Sequence, residues 1–243
     1  MIQQPYGPSA DEFFILLLLR PTTAHLIEIK TAMRQLRLSD HIIAGFDQAL
    51  RSLVPHTTQA ERPMPAADQL SHLNVSDARH VAGLMRVNHS GEVCAQALYH
   101  GQALTAKLPH VKQEMKQAAR EEQDHLAWCE MRLSELDSHT SLLNPLWYGL
   151  SFGLGAAAGL AGDDYSLGFV AETERQVSAH LQSHLASLPE TDARSRGILQ
   201  QMNQDELHHR EQALAAGGKE LPAPDRGLMT VVSKVMTRAS YSL

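Results

Sequence analysis

Only two cysteines, Cys94 and Cys129, occur in the 243 residues. They have no metal-type spacing and cannot build a disulfide framework, so a reducing compartment suits the chain and both read as small core residues. No dense basic stripe is present and the formal net charge is −6, which leaves nucleic-acid binding without support. Long apolar runs are scarce. Phe13 to Leu19 is a run of seven, far short of the roughly 20 residues of a membrane span. Asp11 and Glu12 stand before it, against both a secretory signal and a mitochondrial presequence. One stretch, Asn144 to Gly162, is free of charge from Pro145 to Ala161. At 19 residues, with Gly149, Gly153, Gly155 and Gly159 in two small-xxx-small spacings, it is borderline for spanning. The glycine load favours a crossover helix that packs closely or dips into a bilayer surface, with a transmembrane helix as the alternative.

What the chain does have is 43% hydrophobic residues, enough for the core of one domain with appendages. It also has a repeated pair. Glu122 and His125 are three residues apart, as are Glu206 and His209. On a helix that spacing puts both side chains on one face, about a turn apart, where one transition metal can take both. A further glutamate precedes each pair: Glu92 by 30 residues and Glu174 by 32. Glu, then Glu-x-x-His, twice over, is the ligand set of a carboxylate-bridged di-metal site in a four-helix bundle.

The residues around each ligand test this reading. A buried stripe recurs every three or four residues. It reads Val81, Met85, Asn88, Glu92, Ala95, Tyr99; then Val111, Met115, Ala118, Glu122, His125, Cys129; then Leu167, Val170, Glu174, Val177, Leu181; then Ile198, Met202, Glu206, His209, Ala213. All four run through the ligands, and the third selects Glu174 over Glu172. Four buried carboxylates without counter-charge would be prohibitively costly. Two divalent cations balance them and two neutral imidazoles add nothing. Four solvated surface helices with ordinary Glu and His are the competing explanation, and they leave four coincidences unexplained together.

The organisation follows. The spacing predicts an all-α, ferritin-like four-helix bundle with helices over about 76–106, 110–138, 163–188 and 192–216. Residues 1–39 form an extension outside the bundle and 40–243 the ferritin-like domain. Ser76 is the expected cap of the first bundle helix, and Gly217-Gly218 stops the fourth. Residues 40–54 predict a short amphipathic helix capped by Asp40, with Ile42, Ile43, Phe46, Leu50 and Leu53 on one face, lying on a membrane or on the bundle. Pro55, Pro63 and Pro65 mark 55–73 as a linker. The tail places Leu228, Val232 and Val235 on one helical face, against the bundle or a lipid surface. A long crossover between the second and third bundle helices is what ferritin-like folds require.

Carboxylate and imidazole ligands suit iron or manganese. That admits an oxygenase, a peroxide-handling enzyme or an iron store. No Cys-x-x-Cys site accompanies the bundle, as rubrerythrin-like peroxidases have, and the second Glu-x-x-His is one that ferritin subunits usually lack. The apolar crossover favours a greasy substrate.

The run Leu84-Met85-Arg86-Val87-Asn88-His89-Ser90-Gly91-Glu92, followed by Glu122-Gln123-Asp124-His125, Glu172-Thr173-Glu174-Arg175-Gln176-Val177 and Asp205-Glu206-Leu207-His208-His209, resembles the demethoxyubiquinone hydroxylase family over about residues 40–243. The resemblance implies a peripheral membrane di-iron enzyme at the cytoplasmic face of the cell membrane. It would use O2 and an electron donor to hydroxylate a polyprenyl benzoquinol late in ubiquinone biosynthesis, with other proteins of that pathway as partners. Iron storage or peroxide scavenging is the alternative. Carried over by motif, the ligands of two irons per chain are Glu92, Glu122, His125, Glu174, Glu206 and His209. By analogy Glu122 and Glu206 bridge the metals. Glu121 and Asp205 are placed to accept the free N–H of the other hairpin's histidine, with solvated helix residues as the alternative. His89 and His180 are further outer candidates, for which a structural role is preferred.

Overall fold

The computed structural model describes residues 38–69 and 72–243. The expected 1–39 extension and the Phe13–Leu19 run fall almost wholly outside the described residues. Seven α-helices and no strand are present among those described: α1 Leu38–Leu53, α2 Val75–Thr105, α3 Pro109–Glu135, α4 Asn144–Ala161, α5 Asp163–Ser187, α6 Ala193–Ala215 and α7 Ala223–Ser242. Two hairpins, α2/α3 and α5/α6, make the bundle. The crossover α4 lies along α2, and α7 packs on α2 and α5.

Local chemistry explains the boundaries. Asn74, not Ser76, caps α2: its side chain accepts the Asp77 N–H, so Ser76 already lies in the first turn. Pro109 opens α3, one residue before the expected start at about 110. The carboxylate of Asp163, at the start of α5, accepts the Lys107 and Leu108 N–H groups at 3.0 and 2.8 Å and so ties the two hairpins together. The helix α3 stops three residues short of 138, where Asp137 turns left-handed at φ 51°. At the end of α6, Gly217 takes φ 106°, and the Gly217 and Gly218 N–H groups reach back to Leu214 and Ala213. That is a Schellman stop, which needs glycine. The helix α1 begins at Leu38, ahead of Asp40.

The apolar stripes divide into buried and exposed sets. Val81, Met85, Trp128, Cys129, Leu181, Ile198 and Met202 form one end of the core, and Tyr99, Val111, Met115, Leu167, Val170 and Ala213 the other. In α1 the face that packs is Ala49, Ser52 and Leu53; Ser52 Oγ donates to Gln96 Oε1 at 2.5 Å. Phe46 and Leu50, on the face the sequence marks as apolar, are exposed. In the tail Leu228, Val232 and Val235 are exposed as well, and α7 is held by other residues: Trp147 Nε1 donates to Ser240 Oγ, and Arg86 donates to the Tyr241 carbonyl.

The crossover is a close-packing helix, and no helix among the described residues is long and apolar enough to cross a membrane. One of its two small-residue spacings makes the contact. A Cβ at Gly155 would stand 2.2 Å from the Leu98 carbonyl oxygen, and one at Gly159 would stand 2.0 Å from Thr105 Oγ1, whereas Gly149 and Gly153 meet nothing within 4 Å. Gly155→Ala should therefore cost about 1–3 kcal/mol by forcing α4 off α2. Gly153→Ala should be neutral or stabilise by up to about 1 kcal/mol through helix propensity. Thermal melts of the two variants check this, and equal melting temperatures would contradict the packing.

Candidate metal centre

The middle of the bundle holds the six predicted ligands. Glu92 comes from α2, Glu122 and His125 from α3, Glu174 from α5, and Glu206 and His209 from α6; all six are buried. Glu92, Glu122, His125 and Glu206 each offer an atom within 4.8 Å of the others. His125 Nδ1 stands 2.8 Å from Glu122 Oε2, 3.2 Å from Glu206 Oε1 and 3.6 Å from Glu92 Oε2. The second histidine mirrors the first. His209 Nδ1 is 3.1 Å from Glu122 Oε1 and 3.6 Å from Glu206 Oε2. Glu122 and Glu206 thus each turn one oxygen to each histidine. Glu174 completes the second half, where the charges of Glu206 and Glu122 act on it, and it accepts the Tyr99 hydroxyl proton.

The outer ring nitrogens fix the tautomers. His125 Nε2 donates to Asp205 Oδ2 at 2.9 Å and His209 Nε2 to Glu121 Oε2 at 2.8 Å. Each carboxylate belongs to the opposite hairpin. With Nε2 held by these acids, each ring turns Nδ1 toward carboxylate oxygens, a position that takes either a proton on Nδ1 or a metal ion between the two. Glu122 Oε1, Glu174 Oε2, both oxygens of Glu206 and His209 Nδ1 are buried with no hydrogen-bond partner. Burial followed by the Glu122 charge pushes the Glu92 carboxyl well above the usual range; burial followed by Glu206 and Glu122 does the same to Glu174. Burial opposes charge on His125, but Glu122 and Asp205 outweigh it and hold that imidazole well above its ordinary value. This crowding of unpaired donors fits metal ions, and a set of carboxylates and imidazoles fits iron or manganese.

The remaining candidates lie elsewhere. Glu172 is buried, but Arg175 donates to both of its oxygens and Gln176 to one. His89 contacts Glu130 and Asn144, pinning α3 and the start of α4 to α2. His180 bonds Ser233 of α7 at 2.9 Å. Neither touches a ligand in these contacts. Three polar residues near the site were not evident in the sequence. Tyr99 was visible on the Glu92 stripe, two turns on, but only as an apolar body. Arg62 and Asp124, which meet at 2.5 Å, had no signal, because Arg62 lies in a stretch that reads as a linker.

Beside Glu92 a cavity of about 400 Å³ opens between α2, α4, α5 and α7. Its wall is largely apolar and includes Ala95, Leu98, Leu150, Leu154, Phe169 and Met236. Leu150, Leu154, Leu228 and Val232 line it and are also exposed at the surface.

Over residues 79–240 the chain matches the family described as ubiquinone biosynthesis protein COQ7. It is similar to the 3-demethoxyubiquinol 3-hydroxylase of Acinetobacter baumannii, with 70% identity over 211 residues, 87% of this chain and 100% of that one. The protein of the same name from Acinetobacter baylyi is 71% identical over 209 residues, 86% and 99% of the two chains. That from Psychrobacter arcticus is 57% identical over 213 residues, 87% and 100%.

Proposed function

The chain belongs to the ubiquinone biosynthesis protein COQ7 family, and on that footing we propose that it is a 3-demethoxyubiquinol 3-hydroxylase whose two irons are held by Glu92, Glu122, His125, Glu174, Glu206 and His209. The observation that carries the metal assignment is the double-facing of Glu122 and Glu206, each with one oxygen toward either histidine. Iron bound by these residues would supply the electrons and the dioxygen chemistry of the hydroxylation.

The protein's own residues do the rest. Glu92, Glu122, His125 and Glu206 would hold one metal ion and Glu122, Glu174, Glu206 and His209 the other. Asp205 and Glu121 keep the Nε2 protons in place and leave each Nδ1 free to bind. The Tyr99 hydroxyl holds Glu174 and fixes its orientation. The apolar cavity next to Glu92 receives the quinol ring and excludes water from it, and its leucine-lined mouth takes the first part of the prenyl chain. Exposed Leu146, Leu150 and Leu154 of α4 and Leu228, Val231 and Val235 of α7 give an apolar rim suited to a membrane surface, from which a prenylated substrate enters. O2 is the second substrate. An electron donor is required, and other proteins of ubiquinone biosynthesis are the natural partners.

A labelling experiment tests this reading. Iron-loaded, reduced protein should leave a demethoxyubiquinol analogue unchanged until O2 is admitted. It should then add one ring hydroxyl whose oxygen derives from labelled O2 in ordinary water. Label from water alone would overturn direct oxygen transfer. Bulk iron mineralisation without quinol consumption, or peroxide destruction without an organic substrate, would replace the hydroxylase reading.

A further inference from the structure

The pseudo-symmetry of the two hairpins predicts equal surroundings for the two histidines, and the structure departs from that on one side only. Asp205 and Glu121 occupy equivalent places against His125 and His209. Each acid also accepts from a glutamine one turn back, Gln201 for Asp205 and Gln117 for Glu121, but Asp205 carries a further partner from outside the bundle: Arg62 Nη1 is 2.9 Å from Asp205 Oδ2, the oxygen that accepts from His125. The same guanidinium gives Nε to Asp124 Oδ2 at 2.5 Å and lies 4.9 Å from the centroid of the Trp128 ring. Trp128 is itself 5.6 Å from the His125 ring. Asp124 also accepts the Glu61 N–H at 2.7 Å, which clamps the loop that carries Arg62. Glu121, by contrast, is bonded by His209 and by the neutral amide of Gln117. Among the described residues no lysine or arginine pairs with it.

We infer that Arg62 is a positioning residue that holds Asp205 against His125 and makes the two metal positions unequal. The inference rests on the di-metal reading above. A carboxylate that accepts the N–H of a metal-bound imidazole strengthens that imidazole as a donor. A cation on the carboxylate shares its charge and weakens the effect. His209, backed by an uncompensated Glu121, is the stronger donor of the two, and His125, backed by Asp205 and Arg62, the more firmly oriented. The segment ahead of the bundle thereby belongs to the metal centre.

The probe is the full chain loaded with cobalt(II), in which the ring N–H of each metal-bound imidazole gives an exchangeable, strongly shifted proton resonance. The wild type should show two. Asp205→Asn should move one and Glu121→Gln the other, which assigns them. Arg62→Met, which keeps an unbranched apolar stem without the guanidinium, should move the His125 resonance and hasten its exchange while leaving the His209 resonance in place. Arg62→Lys should restore part of the shift, and Asp124→Asn, which loosens Arg62 without touching Asp205, should give a smaller change of the same sign. In the iron-loaded enzyme Arg62→Met should lower kcat with KM changed less than about twofold. If both resonances stay unmoved in Arg62→Met, or both move equally, the inference is overturned, whatever the melting temperature does. A wild-type chain with no such resonance overturns the di-metal reading and this inference together.

Discussion

Glu122→Ala should reduce iron from two per chain to near none and lower hydroxylation by more than about a hundredfold, beyond the loss typical of a residue that only supports a ligand. The reason is geometric. One oxygen of Glu122 stands 2.8 Å from His125 Nδ1 and the other 3.1 Å from His209 Nδ1, so a single truncation removes a donor from both positions. It also leaves three carboxylates, Glu92, Glu174 and Glu206, against two divalent cations, with Glu206 alone facing both histidines. Glu206→Ala should behave alike. Glu172→Ala is the informative contrast, because Glu172 is also buried and lies only two residues from Glu174. Its oxygens are taken by Arg175 and Gln176, so iron should remain near the wild-type level. Colorimetric iron content of the purified variants decides the matter. Should Glu172→Ala strip the iron while Glu174→Ala retains it, the assignment on α5 fails.

The choice of Glu174 over Glu172 marks how far periodicity can be trusted. The stripe through Leu167, Val170, Glu174 and Leu181 is buried, with Val177 half-buried, but Glu172, off the stripe, is buried as well, so burial alone does not separate the two glutamates and their hydrogen-bond partners do. On α2 the same test had little power. That helix is covered by α3 on one side and α4 on the other, and nearly every residue from Val81 to Ala103 is buried, so any glutamate in the middle would have passed. The pattern of two Glu-x-x-His pairs was legible because metal chemistry demands those residue types at one helical spacing. The crossing of Asp205 to His125 and of Glu121 to His209 was legible because each acid precedes a ligand on a helix that faces the other hairpin.

Other features were hidden for physical reasons. Hydrophobicity marks a face as apolar but does not say what covers it. Phe46 and Leu50 of α1 and Leu228, Val232 and Val235 of α7 are exposed in the folded chain, and smaller or polar residues make the contacts that hold those helices. Small-residue spacing likewise does not reveal its own partner: Gly155 and Gly159 touch α2, while Gly149 and Gly153 do not touch it. Arg62 was hidden most completely. Prolines around it read as a linker, and nothing in a loop sequence records that its guanidinium will land on two bundle carboxylates.

Gly91→Leu should stabilise the protein and cripple it as a hydroxylase. Gly91 sits in the middle of α2, next to Glu92, and lines the cavity. A Cβ built there meets nothing within 4 Å, so no backbone contact explains a glycine at this position. In a helix interior glycine costs about 0.8–1 kcal/mol relative to alanine, which the leucine would largely recover, and the melting temperature should rise by a few degrees. Iron content should not change, because none of the six ligands is displaced. The added isobutyl group, however, projects into a cavity of about 400 Å³ at the place where the quinol ring must approach Glu92. Displacing the ring costs about 2 kcal/mol or more of binding, which is roughly a thirtyfold loss in kcat/KM. Gly91→Ala separates the two effects. Its methyl recovers the helix propensity without reaching the ring, so stability should rise with less than about a threefold change in kcat/KM. If Gly91→Leu keeps its iron and its kcat/KM alike, the quinol does not occupy this cavity and must approach the metals from another side of the bundle.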